Sequence, residues 1–179
     1  ITELKGALLI VRLDMKVNVQ EAYEQIMKNS DPGSKSYEQS KERLGRIKDE
    51  RERYKQNVIR SFGANYHFSD YCFIDNNKID AFLDGDYSVL ECPEQIDLKE
   101  INSHAVFFLV KGDRDSHWIF CDSSFRRLPA SFPVEHDIGI KKLFDFIGGR
   151  DNFSIKNFDI VFSKMSDRLN KYYNRTEGQ

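Results

Sequence analysis

The chain is short of the residues that announce a specific chemistry. Its three cysteines, Cys72, Cys92 and Cys121, form no CxxC pair and no series with zinc-ligand spacing. That excludes a zinc finger and the common dithiol redox centre. One disulfide with a leftover thiol is open to an oxidised chain, but three buried free thiols is the expected state for cysteines that fall in strands. No window approaches the roughly 20 consecutive apolar residues a membrane-spanning helix requires, so no membrane span is expected. Phosphate cradles are missing too. No GxGxxG follows the first apolar run, and neither GxxxxGK with Ser or Thr nor the GxSxG nucleophile elbow occurs. No cofactor is expected on this pattern. Charge of one sign is also lacking: 27 basic residues against 29 acidic ones leave a net charge of −2. Such a balance provides no field for a phosphate backbone, so no nucleic-acid partner is expected.

What is present describes a folded α/β chain. A chain of 179 residues fits one domain, 1–179, and at this size buries roughly 70% of the surface its unfolded form exposes. The start, Ile1 in place of Met, is the form a processed or trimmed chain takes, which leaves a removed targeting peptide open. Gly6 to Leu13 (GALLIVRL) is a continuous apolar run and reads as a strand covered on both faces. Asn18 with Glu21 has the form of a capping box, and Ala22, Tyr23, Ile26 and Met27 then recur at helical spacing through about Lys28. Asn29 to Ser36 (NSDPGSKS) gathers turn formers. A long helix is expected over Tyr37 to Phe62, with Leu44, Ile47, Tyr54, Val58 and Phe62 near one face and mixed charges opposite.

After Gly63 comes the aromatic-rich stretch NYHFSDYCFID, with a second strand expected at Tyr71 to Asp75. The acidic run Asp75 to Asp86 invites a calcium-loop reading, but Ile79, Asp80 and Asp86 stand where the loop needs an oxygen donor, a glycine and a glutamate. A solvated surface loop is expected instead, followed by a short edge strand at Tyr87 to Leu90. Ala105 to Val110 and Trp118 to Asp122 flank the turn-forming Lys111 to Ser116 and read as a β-hairpin. Pro129 and Pro133 force an extended exit. Helices are then expected over Ile140 to Ile147 and over Phe158 to Tyr172. Helices between the first two strands favour parallel pairing there, so the expected fold is α/β, a mixed sheet with helices on both faces.

Candidate chemistry concentrates in His104 to Pro133, which holds the only Trp, Cys121 and two of the four His. Asp113, Asp115 and His117 alternate, and in an extended chain they project to one side, as ligands of a divalent metal or as an acid and a base. Cys121 with His104 or His117 is the best nucleophile arrangement available, since a reactive thiolate needs a neighbouring imidazole. Arg126 and Arg127 are suited to clamp a carboxylate or phosphate. Each of these sets also has a plain structural reading: aspartates that solubilise a hairpin loop, a small core cysteine in a strand, and a solvated arginine pair.

Four segments together resemble a family of uncharacterised exported bacterial proteins: GALLIVRL, the charged helix leading into YKQNVIRSFGANYHFSDYCFID, HWIFCDSSFRRLPASFP, and KMSDRLNKYY. The resemblance implies an extracytoplasmic, periplasmic setting and brings no activity or catalytic residues with it. The order of strands and helices is similar to that of thioredoxin-like proteins. The chain departs from the redox enzymes of that fold in having no CxxC after the first strand and Ser103-His104, not Pro, before Ala105. The expected function is that of a non-catalytic extracytoplasmic module that binds a protein or small-molecule partner or assembles with itself, a homodimer included. The alternatives are a Cys/His-dependent hydrolase or transferase and a divalent-metal-binding protein.

Overall fold

The computed structural model describes residues 2–97, 101, 105–112, 117–129 and 155–177. His104, Asp113, Asp115, Pro133 and the helix expected over Ile140 to Ile147 lie outside the described residues. A four-stranded mixed sheet forms the centre. Strand β1 (Leu8–Leu13) pairs in parallel with β2 (Asp70–Asp75) on one side and with β3 (Val106–Lys111) on the other. Strand β4 (Trp118–Cys121) runs antiparallel to β3 and closes the hairpin expected there. The sheet order is β2-β1-β3-β4. A continuous apolar run suits β1 because it has a neighbour on both edges and cover on both faces. Five of its six residues are buried, Arg12 excepted.

One face carries Leu9, Val11, Leu13, Phe73, Leu109, Trp118 and Phe120. Two long helices cover it. Helix α3 (Lys35–Asn65) follows the short α1 (Thr2–Lys5) and α2 (Val17–Lys28) in the chain. It starts where Ser34, after the left-handed Gly33, accepts a hydrogen bond from the Tyr37 amide at 3.2 Å. The turn formers before it thus end in a working cap. Tyr54, Val58 and Phe62 of α3 are wholly buried. Phe62 stacks on Tyr66 at 4.5 Å and meets Tyr71, Phe73 and Phe162 edge-on, so one ring ties helix to sheet and to the last helix. That last helix, α5 (Ile155–Glu177), buries Phe158, Val161, Phe162, Met165 and Leu169 at the spacing read from sequence. Polar bonds fix how it lies along α3: Asp159 Oδ1 accepts from Ser61 Oγ at 2.6 Å and from Asn65 Nδ2 at 3.0 Å.

The opposite face carries Leu8, Ile10, Cys72, Ile74, Phe108 and Cys121. Its cover is short and tethered. A 3-10 turn at Asn76–Lys78, helix α4 (Ile79–Leu83) and a second 3-10 turn at Tyr87–Val89 fold over it, burying Ile79, Phe82 and Leu90. This segment corrects two sequence expectations. The surface loop is a short helix, because Ile79 and Phe82 fall three residues apart and bury together despite the aspartates around them. The edge strand at Tyr87 to Leu90 is a 3-10 turn, and pairing falls instead on Glu91, which exchanges two 2.9 Å backbone hydrogen bonds with Phe73.

A disulfide between Cys72 and Cys92 locks the return, with the two Cα atoms 4.3 Å apart. The expected three free thiols are therefore one thiol and one bond. The reason is geometric: Phe73 and Glu91 form a hydrogen-bonded antiparallel pair, so Cys72 and Cys92 fall opposite each other at the close, non-hydrogen-bonded position.

Helix α2 also differs from expectation. The Asn18 capping box does not form; the helix begins one residue before Asn18, its N-cap is Lys16 in the left-handed region, and no side chain caps it. None of its residues is buried. It rests on α3 through polar contacts, Lys48 to Glu24 at 2.8 Å and Arg43 to the Tyr23 hydroxyl at 3.3 Å.

Replacing both Cys72 and Cys92 by Ala is expected to lower unfolding stability by about 3 kcal/mol, the loop-closure value for residues 20 apart in sequence. Urea denaturation of the oxidised parent and the double variant measures it. A difference near zero would mean the bond adds nothing to the backbone pairing beside it.

Candidate functional site

The two described members of the thiol and imidazole set lie apart. Cys121 ends β4, is 4% exposed, and sits among the apolar residues of the second face. Burial pushes its thiol up first, Asp122 adds to that, and Arg127 opposes it. This is the environment of an inert thiol, since reactive ones are lowered by cations or helix N-termini. His117 precedes β4 by one residue, and its carbonyl accepts from the Gly112 amide at 2.7 Å. It stands four positions from Cys121, about 13 Å along an extended strand. Its ring lies over Gly112, where a Cβ would come within 2.9 Å of the imidazole Cγ. The imidazole is therefore parked at the loop end of the hairpin while the thiol is at the other end. His104, and with it the other pairing considered for Cys121, lies outside the described residues, as do Asp113 and Asp115 of the metal set. Among the described residues no three His, Cys, Asp or Glu side chains converge on one point.

Cys121 is also isolated from the disulfide. Cys72, Ile10, Phe108 and Cys121 pair in one row across the four strands, on one face. Three strand spacings put the free thiol about 14 Å from the bond. Thiol exchange between them needs the sheet to open.

The turn after Cys121 is tightly built. Asp122 Oδ1 accepts from the amides of Ser124 and Arg126, both at 2.9 Å, and holds Phe125 in the left-handed region at φ 59°. A ring there is uncommon and costs energy. The offset is its stacking on Phe108 at 4.3 Å, which helps cover the second face. Arg126 and Arg127 are carried on the exposed return of this turn, with Arg127 bridged to Cys121.

At the C-terminal ends of β1 and β2, where open α/β sheets commonly bind ligands, charged residues are tied to one another. Arg51, 3% exposed, donates to the Asp14 carbonyl at 3.3 Å and stacks over Tyr54, which Lys111 also approaches. Lys55 pairs with Asp75 at 3.5 Å and with Glu91. Burial pulls its ammonium down, but the Glu91 hydrogen bond and the two carboxylate charges outweigh this and leave it above the ordinary lysine value. At this end Lys55 is thus held by two carboxylates, and Arg51 by a backbone carbonyl and an aromatic ring.

An open cleft lies at the other end, where β1 and β2 begin. It encloses about 400 Å³ and is lined by Lys5 and Gly6, by Tyr66 to Tyr71, and by Gln95 and Ile96. Helix α3 ends at Asn65 and the chain turns through 66–69 into β2, which brings this run beside the end of α1. Tyr66 and Phe68 are 1% exposed and form the floor. The Tyr66 hydroxyl shares a 2.8 Å hydrogen bond with Ser69 Oγ. Burial raises the Tyr66 phenol far above its ordinary value, partly countered by Ser69, so it stays protonated. Lys5 is held with its ammonium 4.9 Å from the centre of the Phe68 ring and 5.9 Å from that of Tyr173. His67, Asp70 and Gln95 are exposed at the rim.

No family model, curated protein or solved structure matches the chain. Function is therefore read from the geometry of its sites. Sequence reasoning placed the chemistry in the hairpin and missed this cleft. Its lining comes from three separated segments, and the only local signal was the polar His67, Ser69 and Asp70 set among aromatic residues just before β2.

Native protein is expected to react with a chromogenic disulfide reagent at Cys121 far more slowly than protein unfolded in guanidinium, where one thiol titrates at once. Immediate, stoichiometric reaction of the native form would show an activated thiol and return Cys121 to the nucleophile reading.

Proposed function

We propose that the chain is a non-catalytic extracytoplasmic binding module that takes a small polar molecule in the cleft at the start of β1 and β2. The observation that carries this reading is the cleft itself: about 400 Å³, within the range of small-ligand sites, with hydrogen-bonding groups at its rim over a buried aromatic floor. The extracytoplasmic setting rests on the resemblance to exported proteins and on the Cys72–Cys92 disulfide, a bond that persists in oxidising compartments and is rare in the cytosol. The non-catalytic part rests on the buried, raised thiol of Cys121 and its distance from His117. A thioredoxin-like arrangement is proposed only as an analogy of element order; the departures named above argue against thiol redox chemistry on it.

A second reading, assembly with a second copy, is favoured by α2. Val19, Ala22 and Ile26 form an exposed apolar stripe on a helix that buries nothing, with Val19 and Ile26 each more than 40% exposed.

Two measurements test these readings. Amide chemical shifts of the labelled 179-residue chain, titrated with neutral, acidic, basic and zwitterionic metabolites, are expected to move at 66–71 and 95–96 for at least one class. No movement at millimolar ligand would remove the cleft as a site. Light scattering at rising concentration is expected to show dimers that Ile26→Lys abolishes; a parent that stays monomeric would dismiss self-assembly through α2.

A further inference from the structure

The walls of the cleft are anchored to different layers of the fold, and this points to how the site is regulated, an inference that rests on the binding reading above. The wall made by 66–71 hangs from the helix layer. The Tyr66 amide donates to the Phe62 carbonyl at 2.8 Å, and the His67 amide donates to Ser166 Oγ at 3.3 Å. Lys5 rests on Phe68 and Tyr173. The wall made by Gln95 and Ile96 hangs from the other layer. These two residues follow Cys92 by three and four positions, in a turn where the Ile96 amide donates to the Pro93 carbonyl at 3.1 Å. Ile96 packs on the second-face cluster, and Ile101 downstream is buried in it.

That second layer is the weaker one. Its cover is a five-residue helix and two 3-10 turns. Ile79, Phe82 and Leu90 stay 8%, 6% and 7% exposed, whereas Tyr54, Val58 and Phe62 of α3 are at 0%. The cover pairs with the sheet through the one exchange between Glu91 and Phe73, and the Lys55 ion pair on the half-exposed Glu91 carboxylate adds little. The Cys72–Cys92 bond closes a loop that is the cover itself. Closing a loop of that length makes its opening on the order of 100-fold rarer. All three cysteines lie in this layer and none in the core that α3 and α5 complete.

We propose that the Cys72–Cys92 bond is a redox gate on the cleft: a dithiol that reduces it frees the cover and the Gln95–Ile96 wall, leaves the 66–71 wall in place, and so switches binding off. One thiolate of the dithiol attacks the sulfur of Cys92, the half-buried partner, as the β2 margin opens. The S–S bond breaks, and its electron pair leaves on Cys72, which takes a proton. The second thiol of the reductant then displaces Cys92 from the mixed disulfide. The dithiol ends as a disulfide and the protein as two thiols, so oxidation closes the gate again.

Amide hydrogen exchange over a range of low urea concentrations tests the gate on the full 179-residue chain, oxidised, treated with dithiothreitol, and as the Cys72→Ala/Cys92→Ala double variant. In the reduced chain and the variant, the Glu91 and Ile96 amides are expected to exchange on the order of 100-fold faster than in the oxidised chain, with little dependence on urea, as opening of a small unit requires. Val58, Tyr66 and Phe162 are expected to keep the steep urea dependence of the whole fold. Reoxidation is expected to restore slow exchange at Glu91 and Ile96. A metabolite that moves the 66–71 shifts of the oxidised chain is expected to bind about tenfold more weakly to the reduced one. Unchanged exchange at Glu91 and Ile96 would overturn the gate. So would protection and urea dependence there equal to those of Val58 and Phe162, or a reduced chain unfolded by circular dichroism, since the bond would then hold the whole fold. A metabolite bound equally by both forms would overturn it too, and would leave the binding reading standing. A metabolite series silent on the oxidised chain removes the binding reading, while the exchange rates still decide whether reduction releases the wall.

Discussion

Everything in this fold depends on covering β1 twice. A strand hydrogen-bonded on both edges has no polar backbone to offer solvent, and its alternate side chains, Leu8 and Ile10 against Leu9, Val11 and Leu13, face opposite ways. Two apolar layers are therefore obligatory. The chain solves them differently: a pair of long helices on one face, a short segment tied by a disulfide on the other. The first solution is self-sufficient, since Tyr54, Val58 and Phe62 of α3 interlock with Phe158 and Phe162 of α5. The second is small, and without the Cys72–Cys92 bond its ordering entropy would weigh heavily against the area it buries.

That difference orders the rest of the molecule. The tethered return carries Glu91 back to Phe73 and to Lys55, so it also caps the outer edge of β2, and the turn at Asp122 to Arg126 does the same for β4 through Arg127. Both edges of the sheet thus have a short stretch of chain folded against them, which blunts the template an open edge would present. Ions at the C-terminal end of β1 and β2 are consumed in holding the turns together. The N-terminal end has no such duties, and the cleft opens there.

Much of this was legible in the sequence. The apolar run of β1, the hairpin of β3 and β4, and the spacing in α3 and α5 all follow from periodicity, because these elements bury large apolar faces and their patterns have little freedom. The failures share a different cause. Ile79 and Phe82 are two apolar residues in an acidic run, too few for a period to register, and only packing on the second face of the sheet makes them helical. Asn18 had the chemistry of a cap, yet the helix begins before it at Val17, after a turn in which the Asp14 carboxylate accepts from the Lys16 amide at 3.1 Å. Cysteine pairing depends on which residues fall opposite each other, and that is not local information. The cleft was illegible for the same reason: Lys5, Ser69, Asp70 and Gln95 meet only once the strands are in register. In the hairpin, nearness in sequence misled, since four residues along a strand carry His117 away from Cys121.

The row formed by Cys72, Ile10, Phe108 and Cys121 has one more consequence. It puts two different sulfur chemistries at the two margins of one sheet. A reductant reaching the bond reports opening of the β2 margin, and an alkylating agent reaching the thiol reports opening of the β4 margin. The protein thus carries its own pair of clocks for local unfolding: once each is scaled by its reagent's rate on the unfolded chain, equal opening would mean the sheet opens as one unit, and unequal opening would show which margin frays first.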